Sequence, residues 1–111
     1  MENIEIIKDN NYYLLNVNGQ LTGGTETDDF VTSIEEAEND GKNLIVNFEN
    51  CNYISSIVIG LLLKKYAKFS ENNLKFIVCG LNHTLENVFK MTKLFTILYI
   101  EKDLEAAKAK M

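Results

Sequence analysis

The sequence predicts a single-domain α/β fold, with a mostly parallel central β-sheet of about 4–5 strands and about 4 α-helices, and three observations predict it. Extended apolar runs alternate with segments of helical periodicity along the chain. Two of those runs, Leu44–Phe48 and Leu74–Cys79, are apolar almost throughout rather than alternating, as in strands covered on both faces. With 111 residues, 46% of them apolar, the chain suits one domain over residues 1–111 whose core needs neither disulfide nor metal.

Ile4–Ile7 and Tyr12–Val17 form an expected opening hairpin, with Lys8-Asp9-Asn10-Asn11 as its polar turn. Asn18 to Thr25 reads as a glycine-rich connection. Phe30, Ile34 and Ala37 then recur at helical spacing up to Asn39-Asp40-Gly41; Thr25 or Thr27 can cap this helix, Asp28 and Asp29 lie in its first turn, and Gly41 suits its end. Leu44–Phe48 is expected to be a central strand, followed by a connection through Asn50-Cys51-Asn52. The run from Ser56 to about Ser70 holds β-formers at 57–59, but its length decides for a helix. Residues 58, 61, 62, 66 and 69 would face inward, with lysines 64, 65 and 68 outward. Glu71-Asn72-Asn73 closes it. A strand over Leu74–Cys79, a helix over Asn82–Lys93 with Leu85, Val88 and Phe89 inward, a short strand over Ile97–Ile100 and a helix from Lys102 complete the chain. Strands alternating with helices in this way imply right-handed crossovers onto a mainly parallel sheet.

The formal net charge is −5, and none of the eleven basic residues is arginine, so the planar fork that grips phosphates and guanine edges is absent. Nucleic acid is an unsuited partner, and the 64/65/68 lysines fit a solvated helix face. The start carries Glu2, Glu5, Lys8 and Asp9, unlike a secretory signal, and the longest apolar run stops at Lys64, far short of the roughly 20 residues a bilayer requires. A cytoplasmic protein not inserted in a membrane is the expectation. Cys51 and Cys79 are isolated, without metal-site spacing, and read as reduced, partly buried thiols; no metal and no cofactor is implied.

Candidate chemistry is sparse. His83 is the only histidine and lies at a helix start; no nucleophile elbow surrounds any serine, so no catalytic residue is assigned. Gly23-Gly24 lacks the lysine of a phosphate loop. Glu35, Glu36 and Glu38 fit a solvated helix face. The richest stretch is Tyr53 to Leu63, where Ser55 and Ser56 separate an extended segment from an apolar helix. Either hydroxyl can cap that helix, contributing about 1 kcal/mol, or carry a phosphate in a field that tolerates anions.

These residues resemble the STAS domain, the module of bacterial anti-sigma factor antagonists, over essentially the whole chain. Its central signature, approximately Y-(I/V)-D-S-S-G-L-G-V-L, is matched without a gap by Tyr53-Ile54-Ser55-Ser56-Ile57-Val58-Ile59-Gly60-Leu61-Leu62. Gly19-Gln20-Leu21-Thr22 stands where the family has G-x-L-D, and Leu44–Phe48 where a hydrophobic run ends in Asp-Leu. Leu74–Leu81 resembles the late strand, Val88–Phe95 the V-x-x-(I/L/M)-x-x-L-T-G-L segment, and Leu104–Ala107 the closing helix. The resemblance implies a STAS-like fold and a non-enzymatic, protein-binding role in sigma-factor signalling and transcription regulation. In the family, the second serine of D-S-S-G is phosphorylated by a partner that is both anti-sigma factor and serine kinase.

Residue by residue, that acceptor position is Ile57, which has no hydroxyl. The signature Asp is Ser55, the Gly is Val58, the Asp of G-x-L-D is Thr22, and the strand-end Asp is Asn47, so the surround of the acceptor is expected to be neutral and more apolar. Ser56 matches the preceding serine. The expectation is a regulatory position formed by Ile57, Ser56 and Ser55, without phosphorylation at the usual site. The partner-binding corner comprises Thr22, Gly23, Gly24, Asn52, Ser55, Ser56, Ile57, Val58 and Asn82, with Ile57 and Val58 as an exposed apolar patch. The partner implied is an anti-sigma factor/serine kinase or another signalling protein. An alternative is a non-enzymatic subunit of a lipid-transport ABC system or a scaffold component of a signalling assembly, and a homodimer is left open.

Overall fold

The computed structural model describes residues 3–111; Met1 and Glu2, the latter counted above with the charged start, lie outside them. Five strands form one sheet: β1 (Ile4–Lys8), β2 (Tyr12–Leu21), β3 (Asn43–Ile54), β4 (Phe76–Cys79) and β5 (Tyr99–Glu101). Their spatial order is their chain order, with β1 antiparallel to β2 and every other neighbouring pair parallel. Helices α1 (Thr25–Asn39), α2 (Ser56–Glu71), α3 (His83–Met91) and α4 (Leu104–Lys108) supply the crossovers and the last element, and a single 3-10 turn spans Leu94–Thr96.

Alternation along the strands sends side chains to two faces. Leu15, Val17, Leu44, Val46, Phe48 and Val78 meet Phe30, Ile34, Val58, Leu62, Phe69 and Phe89 in the larger core layer. Leu14, Ile45, Ile77 and Cys79 point the other way, under Ala107 and Leu104 of α4. The predicted fold class, element order and central position of β3 agree with this architecture.

The boundaries differ where backbone geometry outweighs local pattern. β2 continues to Leu21 and β3 to Ile54, through residues expected to be connections, because two register shifts let the pair stay hydrogen-bonded past Asn16. Gly19, at φ +87°, lies at the second shift, a conformation that suits glycine. α1 has no side-chain cap: Gly24 holds the cap position, and Thr27 is buried with its Oγ1 accepting from the Gly23 amide at 2.9 Å. Its first-turn acids are Glu26 and Asp28 rather than Asp28 and Asp29. β5 starts only at Tyr99, since the Ile97 and Leu98 amides still donate to the Leu94 carbonyl, and α4 starts at Leu104 after the Asp103 cap.

α2 also sits rotated from the expected face. Val58, Leu62 and Phe69 are buried with Ile59, Leu63 and Tyr66 packed beside them, while Leu61 lies off this stripe. The expected solvated faces of α1 and α2 adjoin instead: Lys65 pairs with Glu35 at 2.8 Å and Lys68 with Glu38 at 3.8 Å. In each pair one side chain is largely covered and the other half-exposed; pairs this close to solvent contribute about 1 kcal/mol or less, so they orient the two helices more than they hold them.

Candidate functional site

Leu21 and Ile54, the last residues of β2 and β3, are register partners and both are buried. The Ser55 amide donates to the Leu21 carbonyl at 2.9 Å, so the two strands leave the sheet together and turn into α1 and α2 side by side. Ser55 is the α2 cap, extended at φ −79° and ψ 164°, with its Oγ accepting from the Val58 amide at 3.4 Å. Ser56 is the first helical residue and is exposed.

Ile57 stands next, 65% exposed in the first turn of α2. A Cβ placed on Gly23, which sits at φ +101°, would lie 3.5 Å from Ile57 Cδ1, so the isoleucine rests on bare glycine backbone. The structure therefore brings Thr22–Gly24 against Ser55–Ile57. Asn82 takes a neighbouring post: its Nδ2 donates to the Cys51 carbonyl at 2.8 Å and its Oδ1 accepts from the Leu85 amide at 2.9 Å, capping α3 and tying it to β3. Asn52 is exposed on β3.

Two expectations need correction. Val58 is fully buried in the core beneath α2, so it cannot share an exposed patch with Ile57; helical geometry turns adjacent residues about 100° apart. Asn47 is neither at a strand end nor part of the surface. It is buried, its Nδ2 donates to Asn16 Oδ1 at 3.0 Å, and its Oδ1 accepts from the Glu49 amide at 3.1 Å, an internal buckle on the bulged strand. A Cβ on Gly80, at φ +75°, would fall 2.4 Å from that Oδ1, so the close approach requires glycine.

The corner is also less neutral than expected. The Thr22 amide and hydroxyl both donate to Glu26 Oε1, at 2.8 and 2.5 Å, and these bonds hold the Glu26 carboxyl below the usual glutamate range. A Cβ on Gly24 would lie 3.0 Å from Glu26 Oε2. A fixed anion therefore flanks the Gly23-Gly24 turn on the α1 side while Ile57 flanks it on the α2 side. Glu26 was not legible as a site residue, whereas Tyr53, 49% exposed just before the turn, opens the stretch that the sequence singles out. The Thr22–Glu26 link exists only once the two glycines fold the chain back.

Elsewhere the chemistry is muted. Cys51 and Cys79 are both buried and free. Burial raises the Cys51 thiol, and burial with the nearby Asp103, Glu49 and Glu101 charges pushes Cys79 up to about 12, so neither is a poised nucleophile. His83 is exposed at the start of α3. A crevice of about 450 Å³ opens where β3, β4 and β5 lead into α3 and α4, lined by Glu49, Gly80, Asn82, Lys102 and Asp103.

Comparison with known proteins matches this geometry to a described family. The model of the STAS domain matches residues 3–107. The chain is 24% identical over 106 residues to an anti-sigma-B factor antagonist of Staphylococcus aureus, covering 93% of this chain and 95% of the relative. An anti-sigma factor antagonist from Mycobacterium paratuberculosis superposes with a TM-score of 0.81 at 16% identity, over 96% of this chain and 91% of that one. The Bacillus cell fate determinant SpoIIAA in its phosphorylated form gives 0.74 at 18% identity, over 97% and 99%. At these identities the superpositions establish the fold.

Proposed function

The chain belongs to the STAS domain family, and from that premise we propose that it is a cytoplasmic regulatory module of the anti-sigma factor antagonist type that binds an anti-sigma factor/serine kinase. The docking surface is the corner of Thr22–Gly24, Asn52, Tyr53 and Ser55–Ile57, and binding is not switched by phosphate at the usual position. The observation that carries this reading is Ile57. An isoleucine 65% exposed at a helix start, seated on a glycine turn, supplies a rigid apolar knob where an acceptor hydroxyl would otherwise stand. Ser55 is already engaged as the cap, which leaves Ser56 as the free hydroxyl of the pair.

The test mixes the purified chain with the anti-sigma factor kinase encoded nearest to it, with and without ATP, and reads binding by calorimetry and mass by intact mass spectrometry. The expected result is binding in both conditions, no added phosphate, and affinity lowered at least about tenfold by Ile57→Asp. One phosphate mapped to Ser55 or Ser56 would overturn the absence of a switch. Equal binding by Ile57→Asp would remove this corner as the docking surface.

A further inference from the structure

The acids of α1 fall into two groups. Glu35, Glu36 and Glu38 are paired with Lys65, Lys8 and Lys68, whereas among the described residues no lysine reaches Glu26, Asp28 or Asp29 at the start of the helix. The segments that build the corner, residues 9–41 and 43–63, contain no lysine, arginine or histidine. The corner is therefore an anionic face with no cation of its own, and its charge suits a basic partner surface.

Glu26 is the acid that the turn holds in place. Both Thr22 bonds fall on its Oε1, and its Oε2 lies where a Cβ on Gly24 would be 3.0 Å away. Gly24 has φ −87°, open to any residue, so the room beside the carboxylate, and not the dihedral, is what suits glycine here. At the preceding residue, Gly23, Ile57 Cδ1 stands 3.5 Å from the equivalent point. Carboxylate and isoleucine thus border two consecutive exposed glycines, whose Cα atoms are about 3.8 Å apart, with bare main chain between them.

Resting on the docking corner proposed above, we infer that the Gly23-Gly24 strip receives an arginine side chain of the partner, its aliphatic stem against Ile57 and its guanidinium at Glu26 Oε2. A long basic side chain has this two-part character, an apolar stem and a charged head. A guanidinium is flat and weakly hydrated, so it approaches a carboxylate over bare main chain at less cost than an ammonium. A side chain at position 24 would crowd the oxygen, and one at 23 would crowd Ile57. Thr22 is the positioning residue: its two bonds order the carboxylate before the partner arrives.

Calorimetry of the full chain with the anti-sigma factor kinase encoded nearest to it, at low and high salt, tests this. Glu26→Gln should weaken binding at least about fivefold at low salt and flatten its salt dependence, while Asp28→Asn should stay within about twofold of wild type. Circular dichroism checks that each variant folds. A folded Glu26→Gln that binds like wild type, beside an Ile57→Asp that has lost binding, would overturn this inference and leave the docking corner standing; equal weakening by Asp28→Asn would also overturn it. If both Glu26→Gln and Ile57→Asp bind like wild type, the corner itself falls and this inference with it. A second measurement needs no kinase: N-acetylarginine amide is titrated into the isotope-labelled chain and followed by NMR. Shifts at Gly23, Gly24 and the Glu26 carboxyl should follow one curve and be absent with the neutral N-acetylcitrulline amide, and those at the two glycines should vanish in Glu26→Gln. No shift there, or equal shifts at Asp28 and Asp29, would overturn the proposal.

Discussion

The two halves of β3 belong to one strand and do opposite work. In the first, Leu44, Ile45, Val46, Asn47 and Phe48 are all buried, with β2 on one side and β4 on the other. In the second, Glu49 to Ile54, only Cys51 and Ile54 are buried; the pairing with β4 has ended at Asn47 and Cys79, and β2 alone accompanies the chain. Burial on two faces and two edges makes the first half the part of the molecule that opens last, whereas the second half projects past the sheet and presents the turn on which Ile57 stands. Extending a strand beyond its neighbours is how this sequence builds an exposed platform on a rigid base.

The sharpest way to break this contrast is to disturb the buried half. Phe48 is fully buried, its ring 6.3 Å from Phe30 and 6.4 Å from Phe89, so Phe48→Ala should cost about 3–5 kcal/mol in urea unfolding. A loss below about 1 kcal/mol would mean that the half is not the anchor. Gly80→Ala should follow at roughly 2 kcal/mol, because the added methyl meets Asn47 Oδ1 and the left-handed backbone together.

On the projecting half the effects on stability should shrink. Ser55→Ala removes a cap whose bond is long at 3.4 Å, and about 1 kcal/mol or less is expected. Ile57→Asp should stay within about 0.5 kcal/mol of wild type while reducing partner binding, since the side chain is 65% exposed and an acid suits a helix start. A large stability loss from Ile57→Asp would erase the division between the halves. The smallest effect concerns Glu26. Its carboxyl is held below the usual range when folded, so its contribution is present above the unfolded pKa and is lost as pH falls through the lower folded one. A carboxyl titration by NMR should show Thr22→Ala moving the Glu26 midpoint upward.

How much of this was legible in the sequence follows the same division. Runs such as Leu44–Val46 and Phe76–Val78 announce strands because burial on both faces demands apolar residues at every position. The projecting half carries Glu49-Asn50-Cys51-Asn52, polar residues that mimic a loop, and only the bulged pairing with β2 keeps it extended. The glycines at 23 and 41 were readable as turn positions, but the reason for Gly80, an approach to the Asn47 side chain, lies in contacts between strands. Within the site, the family resemblance put the acceptor position at Ile57, while the residues left the helix cap open between Ser55 and Ser56, which the structure gives to Ser55. The exposed patch took in Val58 by adjacency, against the helical spacing that already set it inward, and the sequence could not locate Glu26, whose bonds depend on a four-residue return through two glycines.

The sheet whose spatial order copies its chain order carries a kinetic consequence. Each new strand docks beside the one made just before it, so every closure spans a single crossover, and no early strand waits for a late one to be inserted between neighbours. Such a chain can grow its sheet outward as it leaves the ribosome, with β2 and β3 laid down before α3 and β5 exist. The platform that carries Ile57 would then take shape while the far edge is still being synthesised.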